Sequence, residues 1–75
     1  MPVVIVPVGR LRQYVGDQDS VALEWRGKTV LQILEDLHIP GDMVSAVLLN
    51  DVLVPKDHVP RDGDSVKLVS VLGGG

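Results

Sequence analysis

The residues best placed to do chemistry close the sequence, where the strand-like run "SVL" passes into Gly73, Gly74 and Gly75. Glycines lack a Cβ and accept positive φ, so they can follow a path closed to other residues. Three extended residues reach roughly 10 Å. The chemistry open to such a segment is acyl chemistry on the Gly75 carboxylate. A carboxylate is a poor electrophile until one of its oxygens becomes a leaving group. On this reading Gly75 is the reacting residue, and Gly73 and Gly74 thread it into place. A glycine run alone is also what a linker or a frayed end looks like, so the rest of the chain has to decide.

The other candidates offer less. His38 and His58 have no third ligand at suitable spacing, so no metal centre is expected. His38 reads as the last turn of a helix, where a cationic imidazole suits the dipole. Ser45, Ser65 and Ser70 lack the strand–turn–helix setting of a nucleophilic serine. Asp17 with Asp19, and Asp62 with Asp64, fit turn chemistry better than a calcium loop. Gly9 and Gly16 form no phosphate-cradling motif. Trp25 alternates with polar neighbours and reads as a packing residue. The absence of cysteine excludes disulfides, a thiolate nucleophile and a cysteine-ligated metal. Nothing in the chain calls for a cofactor and no catalytic side chain can be identified, so no enzyme active site is expected.

The elements that must position Gly75 follow from periodicity. "PVVIVPV" (2–8) is a β-branched first strand, and the Gly/Asp/Ser-rich stretch 9–20 reads as a loop. "SVALEWR" (20–26) alternates with a period of two and pairs with the first strand as a hairpin. "TVLQILEDLHIPG" is the one expected helix. Thr29 and Gln32 have capping-box spacing, and Val30, Ile33, Leu34 and Leu37 make one apolar stripe. Pro40 stops the helix near His38. Strands follow at 45–50, 52–55 and 65–72, the first two joined by a tight Asn50-Asp51 turn. The order is ββ-α-β-β-β, an α+β chain with a mixed four- to five-stranded sheet and one helix packed on one face. A right-handed crossover places the last strand beside the first, parallel and in the middle of the sheet. A central strand is the most rigid place from which to launch a tail. The expected division is a folded domain over 1–72 and a flexible glycine tail over 73–75.

Composition narrows the class. The 75-residue chain is 45% hydrophobic, with fifteen valines and ten leucines, no phenylalanine, and Trp25 and Tyr14 as its only aromatics. A chain this short buries only roughly 60% of its unfolded surface, so each large apolar residue is needed inside. The net charge is −3 and the cations are scattered, which gives no nucleic-acid footprint. No apolar run reaches membrane-spanning length, and "MPVVIVPVG" reads as an edge-tolerant strand and not a signal peptide. A cysteine-free chain of this kind fits the cytoplasm.

With the tail, the helix and the closing strand assembled, the chain resembles the sulfur-carrier branch of the ubiquitin-like proteins, the MoaD/ThiS type. These are the small subunit of molybdopterin synthase and the thiamine-pathway sulfur carrier. The likeness rests on "GRLRQYVG", "GKTVLQILEDL", "AVLLND" and "RDGDSVKLVSVLGGG", of which the "DGD-V" turn into a strand ending in Gly-Gly is the most specific. "GRLRQYVG" is nearer the molybdopterin branch and the triple glycine nearer the thiamine branch.

The resemblance implies a β-grasp fold and a sulfur carrier for cofactor biosynthesis. It implies that the Gly75 carboxylate is adenylated by an ATP-dependent activating enzyme and converted to a thiocarboxylate. The implied partners are that enzyme, a sulfur donor enzyme and an acceptor synthase subunit, with neither nucleic acid nor membrane. Two other readings use the same tail: a ubiquitin-like modifier joined to lysines through Gly75, and an interaction module whose tail is inert.

Side-chain alternation then suggests where such partners dock. If Val66 and Leu68 face the core, then Lys67, Val69 and Val71 face outward. On the third strand the same alternation buries Val47 and Leu49 and leaves Ala46 and Leu48 outward. Leu48, Val69 and Val71 would form an apolar docking face opposite the helix and next to the root of the tail.

Overall fold

The structure, a computed structural model, describes residues 2–70. Five strands form a single mixed sheet: β1 (Val3–Pro7), β2 (Val21–Leu23), β3 (Val44–Leu49), β4 (Val52–Val54) and β5 (Ser65–Ser70), with α1 at Val30–Asp36. The strand order is β2-β1-β5-β3-β4. β1 and β5 are parallel with Ile5 opposite Val66, whereas β3 runs antiparallel to β5 with Val47 opposite Leu68. The closing strand therefore sits in the middle of the sheet beside β1, as the crossover argument requires. This is the β-grasp arrangement.

Alternation decides which side of each strand is dry. Val3 and Ile5 of β1, Val66 and Leu68 of β5, and Val47 of β3 are no more than 2% exposed. They meet Val30, Ile33 and Leu34 of α1, and no polar or charged side chain is buried among the described residues. At seven residues α1 is too short to persist alone and depends on this contact. Its N-terminus is satisfied twice over. The Thr29 hydroxyl accepts from Gln32 N at 3.2 Å while Gln32 Oε1 accepts from Thr29 N at 2.9 Å, the expected capping box. Val30 N and Leu31 N then donate to the carbonyls of His58 and Lys56, each at 3.0 Å, so the 55–60 connector closes the helix end.

The structure departs from the sequence reading in four places. α1 ends at Asp36, before the expected stop near His38. His38 turns to φ 59°, Leu37 is only half-buried, and Ile39 enters the core instead at 3% exposure. The stretch read as a loop after β1 contains a 3-10 helix, Gly9–Val15, which drives Leu11 fully into the core, and a shorter one spans Gly41–Met43. The strand expected over 20–26 pairs only through Val21–Leu23. Trp25 thus lies outside the ladder. It is 48% exposed and its indole N–H donates to Pro60 O at 2.6 Å, so it is not the packing residue expected of it. Finally, Leu49 is half-buried at the margin of the core and not enclosed.

The Asn50-Asp51 turn matches expectation, both residues having the positive φ (48° and 71°) that a tight hairpin requires. Among the described residues no helix is long and apolar enough to cross a membrane. Val71, the tail glycines Gly73, Gly74 and Gly75, and the expected domain boundary after residue 72 lie outside the described residues.

Candidate functional site: the root of the tail and the open sheet face

The sequence runs on from β5 toward Gly75, so the end of β5 is the described part of the candidate site. Two neighbours fix it. β3 shifts register between Val44 and Ala46, and the offset residue, Ser45, donates its hydroxyl to Ser70 O at 3.0 Å and Val69 O at 3.3 Å. On the other flank, Val8 N donates to Leu68 O at 2.9 Å as β1 passes into the 3-10 helix. That helix opens at Gly9, whose φ is +65° and where an added Cβ would lie 3.1 Å from Ser70 Oγ. The root of the tail is thus gripped by β1 and β3 together. Neither Ser45 nor Gly9 was legible in this role. A bulge has no periodic signature, and Gly9 reads equally well as an ordinary turn glycine.

The start of β5 is held as firmly. Asp64 accepts from Arg61 N at 2.8 Å and from Asn50 Nδ2 at 3.0 Å, while Asn50 Oδ1 accepts from Ser65 N at 3.0 Å. Those bonds to the carboxylate, led by the Arg61 amide, hold the Asp64 carboxyl below the usual aspartate range. The charge chemistry here fixes strand register. Among the described residues no group of three or more His, Asp or Glu could hold a metal ion.

On the face of the sheet opposite α1 the pairing builds an apolar surface. Val6 lies beside Lys67, Lys67 beside Leu48, and Leu48 beside Leu53, one row across four strands. Ala46 lies beside Val69 in the next row, nearer the tail root. Val6, Leu48 and Val69 are half-buried and Leu53 is 69% exposed. The stem of Lys67 covers part of this surface while its ammonium stays wet. Leu48 and Val69 are therefore on the open face with Val66 and Leu68 on the other, as alternation implies. They are diagonal neighbours and not a direct pair.

Comparison with known proteins places this geometry. The ThiS family matches residues 5–75. No functionally curated protein matches the sequence. Among solved structures, the HVO 2177 protein of Haloferax volcanii superposes with a TM-score of 0.77 at 22% identity, covering 100% of this chain and 87% of the other. A chain of the BexX/CysO complex of Amycolatopsis orientalis gives 0.69 at 27% identity, covering 97% and 99%. A chain from the complex of subunits 1 and 2 of the molybdopterin-converting factor of Helicobacter pylori gives 0.61 at 21% identity, covering 100% of both. With the family match running from β1 through the closing glycines, this chain belongs to the ThiS family of ubiquitin-like sulfur carriers.

Proposed function

We propose that the protein carries sulfur on Gly75 and that the folded body, residues 1–72, exists to present the glycine tail 73–75. The observation that carries the reading is the position of β5. The strand that leads to Gly73, Gly74 and Gly75 is central in the sheet and is held near its end on both flanks, by Ser45 at Ser70 O and by Val8 N at Leu68 O. The Gly75 carboxylate attacks the α-phosphorus of ATP in the site of an activating enzyme, releasing pyrophosphate and leaving an acyl-adenylate. A sulfide-level sulfur from a donor enzyme then displaces AMP at the carbonyl carbon, leaving a thiocarboxylate. The carrier supplies no side-chain acid, base or nucleophile; its one reacting group is the Gly75 carboxylate, so the protein acts as a cosubstrate.

The relatives point to the next partner. One is a chain of a two-subunit molybdopterin-converting factor and another is part of the BexX/CysO complex. By that likeness the thiocarboxylate is delivered inside a complex with an acceptor synthase subunit, for a cofactor of molybdopterin or thiamine type. Leu48, Val69 and Val71 form the docking face that holds the carrier on its partners. Cytoplasmic residence follows from partners that use ATP and reduced sulfur.

The test is intact mass after incubation with the activating enzyme, ATP and a sulfur donor. A gain equal to one oxygen replaced by one sulfur supports the reading. A ladder of lysine conjugates would replace it with a modifier, and an unchanged mass with an inert tail. Deleting Gly75 should leave thermal unfolding in place and abolish ATP–pyrophosphate exchange. Exchange at full rate without Gly75 would remove the tail from the mechanism.

A further inference from the structure

Val44 and Val47 are three positions apart in β3, yet each is 1% exposed and both belong to the core. A regular strand would turn them to opposite sides of the sheet. The register shift between Val44 and Ala46 removes the conflict. Ser45 is the extra residue of a β-bulge, and Val44 returns to the dry side opposite Ser70. The bulge thus has a packing cause that needs only the backbone of residue 45. An alanine there would serve the core as well.

The hydroxyl of Ser45 does something the core does not require. The residue is exposed, and its Oγ reaches across to β5, 3.0 Å from Ser70 O and 3.3 Å from Val69 O. A hydroxyl has one proton to donate, so the two carbonyls share it. Ser70 O is the nearer, and it belongs to the planar peptide unit that joins Ser70 to Val71. Holding that oxygen sets the direction in which the chain leaves β5. Water competes for both partners of an exposed hydrogen bond, so the bond adds little to stability. What it changes is orientation.

Five residues separate Ser70 from the Gly75 carboxylate, counting Gly75 itself, a reach of roughly 17 Å when extended. Three of them are glycines, the residue type that restricts direction least. The Ser70 peptide is therefore the last described place at which the folded body can bias where the carboxylate goes. We propose that Ser45 is a positioning residue for the tail. Its hydroxyl holds the Ser70 carbonyl so that more of the carriers leave β5 in the one direction that the activating enzyme admits.

This role rests on the reading of Gly75 as the reacting residue. An enzyme that accepts only one exit direction sees an affinity lowered by the fraction of carriers that have it. Loss of the hydroxyl should therefore raise KM and spare kcat, because a tail already threaded is held by the enzyme and no longer by Ser45.

The experiment compares Ser45→Thr with Ser45→Val in the full chain. The two side chains share their β-branching and differ in the hydroxyl alone. In ATP–pyrophosphate exchange with the activating enzyme, Ser45→Val should raise the carrier KM about fivefold at constant kcat. Ser45→Thr should match the parent. In the free carrier the amides of Ser70 and Val71, whose peptide units carry the two carbonyls, should shift in the valine variant and not in the threonine variant. Val47 and Leu68 should be unmoved in both, which shows that the bulge and the core are kept. Equal KM values for the two variants would overturn the proposal, since residue 45 would then act through its shape. So would a loss confined to kcat, or Ser70 and Val71 amides that ignore the hydroxyl. The Gly75 deletion keeps the two readings apart. Exchange that survives the deletion overturns both, whereas exchange that needs Gly75 but not the hydroxyl overturns the role of Ser45 alone.

Discussion

The two faces of the sheet are built from the same strands and nearly the same residue types, yet they are used differently. On the side under α1, Val3, Ile5, Val66 and Leu68 are sealed from water. On the other side their immediate neighbours Val4, Val6 and Val69 are half-exposed, with Lys67 among them. A chain this small needs most of its apolar side chains inside. One that leaves a row of them on a wet face has spent core material on something besides folding, and a contiguous exposed apolar surface marks a binding site. The closed face holds the body together; the open face is the one proposed above to meet partners.

Substitutions should separate the two faces. The largest effect belongs to the closed one: Leu34→Ala should cost on the order of 2–5 kcal/mol, because Leu34 is 1% exposed and the cavity left behind cannot collapse. That is a large share of the stability available to a small domain. A urea midpoint equal to that of the parent would mean that α1 is not the anchor.

On the open face the signature inverts. Leu48→Asp and Val69→Asp should keep the midpoint close to the parent's while binding to the activating enzyme weakens tenfold or more, about 1.4 kcal/mol. Titration calorimetry alongside the unfolding curve measures both. Unfolding of either variant would place its side chain in the core, and normal binding by both would move docking elsewhere.

Gly9→Ala sharpens the comparison at the tail root, where neither face dominates. Alanine at φ +65° is strained by about 1 kcal/mol, and its Cβ would press on Ser70 Oγ. The expected outcome is a modest loss of stability together with shifted amide signals at Ser45, Val69 and Ser70. Signals unchanged at those three residues would show that the 3-10 helix does not grip β5.

Much of this arrangement was legible in the residues. The valine alternation of β1 and β5 and the Thr29/Gln32 box each act within a few residues, so they can be read without tertiary context. The parallel, central place of β5 followed from the handedness of crossovers. What stayed hidden depends on distant partners. Leu11 is buried by a 3-10 helix, whose three-residue turn leaves no amphipathic stripe to see. Trp25 alternates like a strand residue, but β2 stops at Leu23 and the carbonyl that receives the indole N–H is 35 residues away. Ser45 looked like a failed nucleophile, because nothing local predicts the register shift that turns its hydroxyl onto the end of β5. At the candidate site, the outward places of Leu48 and Val69 could be read, and the residues that hold the end of β5 could not.

The smallest effect tests what keeps the two faces distinct. A one-residue slip of β5 would exchange them completely, since side chains alternate. The start of β5 is pinned against that slip by Asp64, which accepts from Arg61 N and Asn50 Nδ2 while its own carbonyl receives Val4 N at 2.9 Å. The Asp64 carboxyl titrates lower in the folded chain than in the unfolded one, where its value is about 3.9. The unfolded chain therefore takes up this proton first as pH falls. The contribution of Asp64 to stability is complete above about pH 4 and is lost as pH drops through the folded value. Asp64→Asn should remove that part of the acid dependence, so parent and variant midpoints should differ at pH 7 and converge toward pH 2. The carboxylate is well solvated although the residue is half-buried, and the difference should be small. A gap that stays constant across the whole range would show that the asparagine disturbs the turn for reasons other than charge, and that the register of β5 rests on its backbone pairing alone.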